Sequence, residues 1–229
     1  MEEGGELSTV NLCLGDCMEA MKLMPDKAYD MAICDPMYDL PDNYLVPGTE
    51  KSITCVKRNF IKQAKKLASQ EVVGEAYFKE VARVSKNQIL WGENYFQYPG
   101  KPVGRIIWDK VNDSSSFSHA EIASCSMIKG VRIFRYMWNG MIQQDMKHKE
   151  IKIHPFQKPV SLYEWLLKNY AKPGDKILDT HGGSCSLAIA CDIMGFDVDI
   201  WEIDPDYYQA AKERLYHHKA QGKLFQEAV

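Results

Sequence analysis

The chain lacks several features that would place it at once in a simple class of protein. No apolar run in its 229 residues approaches the length of a transmembrane helix, and the acidic start MEEGGELSTV is unlike a secretory or organelle signal. The seven cysteines form no C-x-x-C pair, so a zinc site or disulfide framework is weakly supported. A net charge of −3 argues against wholesale binding of a polyanion. We therefore expect a cytoplasmic protein without a metal or a membrane anchor.

Two segments nevertheless concentrate positive charge. Residues 51–70 (KSITCVKRNFIKQAKKLASQ) contain no acid, and residues 146–158 (MKHKEIKIHPFQK) are also basic. The first segment is either a solvated helix face or a surface that contacts the phosphates of a nucleic acid. The side chains that would make those phosphate contacts are Lys57, Arg58, Lys62, Lys65 and Lys66.

Strand patterns and helix patterns alternate along the chain, which predicts one α/β domain over residues 1–229 with a mainly parallel sheet. Strands are predicted at 10–16, 29–34, 88–91, 105–108, 120–128, 131–138, 176–179 and 197–202. Helices are predicted at 17–24, 58–69, 75–84, 159–170, 187–194 and 205–220. The two strands that Lys129-Gly130 joins are expected to form a terminal antiparallel hairpin. Residues 39–70 and 139–153 are expected to be mobile loops that contact DNA and recognise the target sequence.

Four of the predicted strands end in an acidic residue: Asp16, Asp35, Asp179 and Glu202. The carboxyl ends of parallel strands share one edge of a sheet, where ligands bind at the switch in strand order. Each acid taken alone is more often a helix cap. Because four such caps in a row would be unusual, the pattern indicates a binding site at this edge.

The segment LDTHGGSCS, residues 178–186, follows a strand and opens a helix, which is the setting of a nucleotide-binding loop. Gly182 and Gly183 allow a ligand to approach the backbone. The segment is not G-x-G-x-x-G and contains no lysine, so it is poorly suited to bind a pyrophosphate. Glu202, about twenty residues further on, can accept both hydroxyls of a ribose. A nucleoside with an amino-acid end fits this pattern, and S-adenosylmethionine has that structure.

The segment MAICDPMYDL, residues 31–40, ends an apolar strand in Asp35-Pro36, and Tyr38 follows shortly after. In this setting the chain resembles the β-class amino-methyltransferases of DNA, in particular the compact N6-adenine methylases of phages and prophages. The resemblance covers nearly the whole chain, including NLCLGDCMEAMKLMPDKAYDMAICDPMY, SKNQILWGENYF, IIWDKVNDSSSFSHAEIA, HPFQKPVSLYEWLL, ILDTHGGSCSLAIA and IWEIDPDYYQAAKERL. It implies a Rossmann-like, seven-stranded, mostly parallel sheet in permuted order, with the catalytic motif before the cofactor motif.

The resemblance also implies roles for individual residues. Asp35 and Pro36 would hold the target amino group of a flipped-out adenine, and Tyr38 would stack on the base. S-adenosylmethionine would be the cofactor and DNA the partner, and small methylases of this kind can pair as homodimers. The residues implied to bind the cofactor are Asp16, Lys158, Ser161, Asp179, Gly183, Ser184 and Glu202.

The sequence departs from the family pattern, and alternatives stay open. The family usually has proline at Met37, threonine at Ser186, and glycine at both Glu93 and Cys185; an added Cβ at 185 is tolerable if φ there is negative. One alternative is a cytosine-N4 enzyme, although those usually begin the tetrapeptide with serine. A methyltransferase of RNA or of a protein amide, which usually begins it with asparagine, is a second. An inactive relic that binds cofactor or DNA is a third.

Overall fold

The computed structural model describes residues 8–38, 72–113, 118–139 and 142–226. The strands are β1 (Val10–Leu14), β2 (Tyr29–Cys34), β3 (Ser85–Trp91), β4 (Gly104–Asp109), β5 (Ala120–Cys125), β6 (Val131–Arg135), β7 (Trp138–Asn139), β8 (Ile142–Gln143), β9 (Lys176–Asp179) and β10 (Asp197–Glu202). The α-helices are α1 (Cys17–Leu23), α2 (Glu75–Val84), α3 (Val160–Tyr170), α4 (Ser186–Met194) and α5 (Pro205–Gln226). A short 3-10 helix covers Glu93–Tyr95. The predicted helix at 58–69 and the predicted loop at 39–70 lie outside the described residues.

Eight strands form the main sheet in the order β1-β10-β9-β2-β3-β5-β4-β6, and β7 pairs with β8 separately. The pairs from β1 to β3 are all parallel, and β5 runs antiparallel to both β3 and β4. The prediction of a mostly parallel, Rossmann-like α/β sheet is confirmed. The resemblance implied seven strands in this sheet, whereas the described residues form eight.

The predicted hairpin of β5 with β6 is wrong. The two strands run in opposite directions, but β4 lies between them and pairs in parallel with β6. Both edges of β5 are already occupied by β3 and β4, so the edge that β6 joins is the outer edge of β4. The residue pattern of each segment identified the strands but not their partners.

The sheet is covered by helices on both faces, and β2 shows how its sequence produces this. Met31 and Ile33 pack into the apolar cluster that contains α3 and α4, whereas Ala32 and Cys34 pack into the cluster that contains α1 and α2. Successive side chains of a strand point to opposite faces, so a strand that is apolar at every position is buried on both. The continuous apolar run of β2 therefore specifies a central strand.

The strand order reverses between β9 and β2, and this point locates the ligand cleft. From β2 the chain passes through α2 to β3 on one side, and from β9 it passes through α4 to β10 on the other. A cleft opens at the carboxyl ends of the strands where such connections diverge. Asp35 directly follows β2 and Asp179 ends β9, so two of the predicted acids flank this point. No helix in the described ranges is long and apolar enough to cross a membrane.

Candidate active site

A cavity of about 620 Å³ opens at the carboxyl edge of the sheet, within the range of ordinary ligand pockets. Its wall combines the ends of β1, β2 and β10, the start of α2 and the segments before α3 and α4. The lining residues that matter for chemistry are Asp16, Asp35, Pro36, Tyr38, Tyr77, His154, Lys158, Thr180, His181, Gly183, Ser184 and Glu202. The structure thus brings the Asp-Pro-x-Tyr segment and the glycine turn to the same cavity, as the sequence predicts.

The two carboxylate oxygens of Asp35 differ in their contacts with the described residues. Its Oδ2 accepts a hydrogen bond and ion pair from the ammonium of Lys158. Its Oδ1 is buried and has no hydrogen-bond partner among the described residues. Burial raises the pKa of the Asp35 carboxyl, and the positive charge of Lys158 opposes that rise. An unpaired buried acceptor costs stability, so it is a candidate for a group that meets a ligand.

Lys158 belongs to a chain of four ion-paired groups, in which it is buried and Asp35, Glu121 and Lys110 are partly exposed. Its Nζ is 2.8 Å from Oε2 of Glu121, whose Oε1 is 2.5 Å from Nζ of Lys110. The Lys158 side chain is only 3% exposed, and its ammonium lies 5.4 Å from the centre of the Trp91 ring. Burial disfavours the ammonium, but the carboxylates of Asp35 and Glu121 outweigh it and raise the pKa of Lys158. Burial also acts against the charged form of Glu121, but the ammonium groups of Lys158 and Lys110 outweigh it and lower the pKa of that carboxyl to about 2.

Tyr38 is held by an aromatic neighbour and by a glycine. Its ring stacks on Tyr95 with centroids 4.3 Å apart and an interplanar angle of 5°, and Phe96 meets it edge-on. Gly92 has φ +72, and a Cβ there would lie 2.5 Å from Cδ1 of Tyr38. Glycine is therefore required at 92 both for its backbone conformation and for the space that the Tyr38 ring occupies.

The glycine turn is fastened to the end of β10 by Glu202. The N–H of Gly183 donates to Oε2 of Glu202 at 2.7 Å, and the N–H of Asp204 donates to Oε1 at 2.8 Å. Gly183 has φ +51, and a Cβ at Gly182 would lie 2.6 Å from Cγ2 of Ile200. Burial raises the pKa of Glu202, and hydrogen bonds from backbone N–H groups, first that of Asp204 and then that of Gly183, counter part of this rise. Each carboxylate oxygen keeps a lone pair for a further donor.

Asp16 and Asp179, the other two acids at strand ends, differ in position. Asp16 lines the cavity and is also the N-cap of α1, because its Oδ1 accepts from the N–H of Met18 at 2.7 Å. Asp179 is buried behind the lining, and its Oδ1 accepts from the N–H of His181 at 2.9 Å. Burial, together with the charges of Asp35 and Glu202, raises the pKa of Asp179 to about 7. Asp179 therefore shapes the turn from beneath.

The remaining predicted residues fall into three groups. Lys158 and Ser184 line the cavity, and the Ser184 hydroxyl is 3.2 Å from that of Ser186. Ser161, in the first turn of α3, is half-buried and is not part of the cavity lining. The five basic residues of the 51–70 segment, which are Lys57, Arg58, Lys62, Lys65 and Lys66, lie outside the described residues.

Sequence reasoning missed a group of polar residues in the cavity wall. Tyr77 and Thr180 share a hydrogen bond of 2.6 Å between their hydroxyls, and Thr180 is 2.9 Å from Nδ1 of His181. Burial lowers the pKa of His181 to about 4 and that of His154 to about 3. Both imidazoles are therefore neutral at physiological pH. The adjacency of Thr180-His181 to the glycine turn was the available signal, whereas Tyr77 reaches the site only through tertiary packing.

Cys185 stands where the family usually has glycine, and the structure shows the consequence. Its φ is +54, so the condition of a negative φ is not met. A non-glycine residue in this left-handed region costs about 1–2 kcal/mol. Cys185 is also the N-cap of α4 and is 1% exposed. Its buried side chain offsets part of that strain by packing beneath the turn.

Comparison with known proteins identifies a family that this site fits. The sequence model of a DNA methylase family matches residues 49–213. The type II methyltransferase M.HinfI of Haemophilus influenzae is 22% identical over 240 aligned residues, covering 88% of this chain and 67% of that protein. M.HpaI of Haemophilus parainfluenzae is 38% identical over 71 residues, 30% of this chain and 22% of that protein.

Solved structures share the fold. The cytosine-N4-specific PvuII DNA methyltransferase superposes with a TM-score of 0.56 at 14% identity, covering 90% of this chain and 86% of that one. A DNA modification methylase from Thermus thermophilus, in complex with S-adenosyl-L-methionine, gives a TM-score of 0.51 at 17% identity. That match covers 91% of this chain and 95% of the other.

The chain belongs to the N6/N4 DNA methylase family. The amino-methyltransferase resemblance seen in the sequence is thereby confirmed. The family uses S-adenosylmethionine as methyl donor, so the predicted cofactor is confirmed as the cofactor of the family. Membership covers both adenine N6 and cytosine N4 as targets.

Proposed function

We propose that the protein transfers a methyl group from S-adenosylmethionine to the exocyclic N6 of an adenine flipped out of DNA. The proposal rests on Asp35, a carboxylate directly after β2 that lines the cavity and has one buried oxygen without a hydrogen-bond partner among the described residues. An acceptor in that state suits an amino group, which brings N–H donors. Family membership supplies the class of reaction.

The residues of the cavity fit the cofactor. Gly183 exposes backbone at the cavity wall, and Glu202 retains acceptor capacity for the two ribose hydroxyls. Asp16, Ser184 and Lys158 add polar groups around the same space. When bound, S-adenosylmethionine supplies an electrophilic methyl group on a sulfonium. The chain's own task is then to bind and orient the acceptor nitrogen.

Asp35 and Pro36 would orient that nitrogen. An exocyclic amino nitrogen shares its lone pair with the ring and is a poor nucleophile. If Oδ1 of Asp35 and the carbonyl of Pro36 each accept one N–H, a pyramidal nitrogen with a free lone pair is favoured. Positioning and electrostatic stabilisation are then the main contributions of the protein to an in-line displacement.

Tyr38 would provide the surface on which the flipped base stacks. Stacking of a base on an aromatic side chain contributes about 1–3 kcal/mol, which offsets the cost of taking the base out of the duplex. Tyr95 stacks against one face of the Tyr38 ring, so part of the platform is already assembled before the base arrives. This preorganisation reduces the entropy lost on binding.

The choice of adenine as the target base rests on the family pattern at residue 35 and in part on the acceptor chemistry of a carboxylate. The cytosine-N4 enzymes usually have serine where this chain has Asp35. Cytosine N4 is also an amino group that needs two acceptors, so the carboxylate alone does not discriminate. DNA itself would be held in part by the basic segment 51–70, and pairing of two chains as a homodimer is part of the same proposal.

Nucleoside analysis of host nucleic acid tests the proposal directly. The protein is expressed in a bacterial host without its own DNA methylases, and an empty vector is the control. DNA and RNA are digested separately, and methylated nucleosides are measured by mass spectrometry. We expect N6-methyladenine to increase over the control in the DNA only. N4-methylcytosine in its place would overturn the choice of base, and new methylation confined to RNA would overturn DNA as substrate.

A further inference from the structure

We propose that Glu121 is a positioning residue for methyl transfer, holding Lys158 on one oxygen of Asp35 so that the other oxygen is kept for the target amine. This inference rests on the proposed function and deepens it. Glu121 does not touch the acceptor base in this account. It acts through Lys158, and Lys110 anchors it from the opposite side.

The topology of the sheet brings Glu121 to the site. Because β5 is antiparallel to β3 and β4, its first residues lie at the same edge as the carboxyl ends of β2 and β3. Glu121 pairs in register with Trp108 and lies two residues before Ala123, the partner of Trp91. A carboxylate at the start of an antiparallel strand thus joins those at the ends of parallel ones.

Each ion pair in the chain of charges fixes the next. The two oxygens of Glu121 are divided between two ammonium groups, Oε1 at 2.5 Å from Lys110 and Oε2 at 2.8 Å from Lys158. The Glu121 side chain is 22% exposed and that of Lys110 is 12% exposed, so solvent screens these contacts weakly. With Glu121 fixed, the Lys158 ammonium cannot move to a second position without breaking a buried pair, a costly step.

As a consequence, the two oxygens of Asp35 have different roles. Lys158 pairs with Oδ2, and Oδ1 stays without a hydrogen-bond partner in the described residues. If Lys158 were free to bridge both oxygens, the acceptor for the amine would be lost. Glu121 draws the ammonium towards β5 and so prevents that arrangement. A carboxylate that is held with one free oxygen is preorganised for its ligand.

Titratable groups from several neighbouring elements interact with Asp35. Lys158 comes from the segment before α3 and Tyr163 from α3 itself, whereas Glu121 comes from β5 and Asp179 from the end of β9. Lys110, directly after β4, also acts on Asp35. The positive charge of Lys158 favours the ionised carboxylate, and the negative charge of Glu121 disfavours it. Removing one or the other should therefore move the Asp35 titration in opposite directions.

The test compares Glu121→Gln and Lys158→Met with the wild type. Carbon-13 NMR of labelled aspartate carboxyls follows the titration of Asp35 in the protein alone, with its resonance assigned by its loss in Asp35→Asn. We expect the pKa of Asp35 to fall in Glu121→Gln and to rise in Lys158→Met. Glu213→Gln, an exposed position on α5, is the matched control and should leave this pKa unchanged.

Single-turnover methylation of polymerase-amplified DNA supplies the second readout. Glu121→Gln should lower the transfer rate on the order of 10- to 100-fold, the size expected for a misplaced reacting group, with cofactor affinity within twofold of wild type. An unmoved Asp35 pKa in Glu121→Gln, or a full transfer rate, would overturn the positioning role. That conclusion does not depend on Lys158→Met, should this variant fail to fold. If the two pKa shifts are opposite, as expected, but the wild-type protein methylates no DNA, the proposed function is refuted, and the positioning role with it.

Discussion

Replacing Glu202 by glutamine should weaken cofactor binding and destabilise the protein by separable amounts. Glu202 accepts backbone N–H groups from Gly183 at 2.7 Å and from Asp204 at 2.8 Å, so both of its oxygens are used. A glutamine has only one acceptor oxygen, and its amide nitrogen would face the other backbone donor. One buried N–H left unpaired costs about 1–3 kcal/mol of stability, with or without ligand.

The expected loss of affinity for the cofactor follows from the same loss of one acceptor oxygen. In the proposed complex each carboxylate oxygen also accepts one ribose hydroxyl, and glutamine can replace only one of these bonds. A hydrogen bond to a charged group contributes about 1.5–3 kcal/mol. At about 1.4 kcal/mol for each factor of ten, affinity for S-adenosylmethionine should fall about 10- to 150-fold.

Titration calorimetry with S-adenosylmethionine measures the change in affinity, and urea unfolding measures the change in the free energy of unfolding. Glu213→Gln makes the same chemical change on the exposed face of α5 and should alter neither quantity. An NADH titration of the wild type checks that binding is not general to nucleotides. A folded Glu202→Gln protein with affinity within twofold of wild type would refute the assignment of Glu202 to the ribose.

Three further predictions concern Asp179, Gly92 and the basic segment 51–70. Burial raises the pKa of Asp179 in the folded protein to about 7. The contribution of this group to the free energy of unfolding, up to ~4 kcal/mol, is therefore present below about pH 4 and is lost as pH rises towards 7. Asp179→Asn should flatten the pH dependence of urea unfolding across that window. Gly92→Ala should displace the Tyr38 ring and lower methyl transfer, whereas Gly100→Ala, at φ +76 with nothing within 4 Å of its Cβ, should cost similar backbone strain but leave transfer intact. Equal transfer rates in the two glycine variants would contradict the role given to Gly92. Neutralising two of the basic residues in 51–70 should reduce the salt dependence of DNA binding by roughly two units of log–log slope, and an unchanged slope would return that segment to a solvated surface.

Much of the fold could be predicted because local patterns determine its elements. The strands ending at Cys34, Asp179 and Glu202 were readable from apolar runs stopped by acids. Their convergence followed from parallel pairing, since parallel strands place their carboxyl ends at one edge. The segment 75–84 had a clear apolar stripe and forms α2 over those residues.

The parts that could not be predicted depend on contacts between distant segments. Glu121 enters the site only because β5 is inserted between β3 and β4, and nothing in its own segment specifies those partners. The same insertion made the hairpin prediction wrong. Likewise Gly92 supports Tyr38 across a sequence separation that no local pattern reports. The φ of +54 at Cys185 is imposed by the turn around it, against the preference of the residue itself.

We expect the Asp35 carboxylate to orient the amine for transfer without being needed to bind the cofactor. The most direct measurement is the incorporation of tritium-labelled methyl groups from S-adenosylmethionine into polymerase-amplified DNA by purified wild type and Asp35→Ala. Calorimetry of the same two proteins with the cofactor accompanies it. We expect Asp35→Ala to abolish incorporation and to leave cofactor affinity nearly unchanged, because Asp35 acts on the transition state. Methyl transfer by Asp35→Ala at the wild-type rate would contradict it.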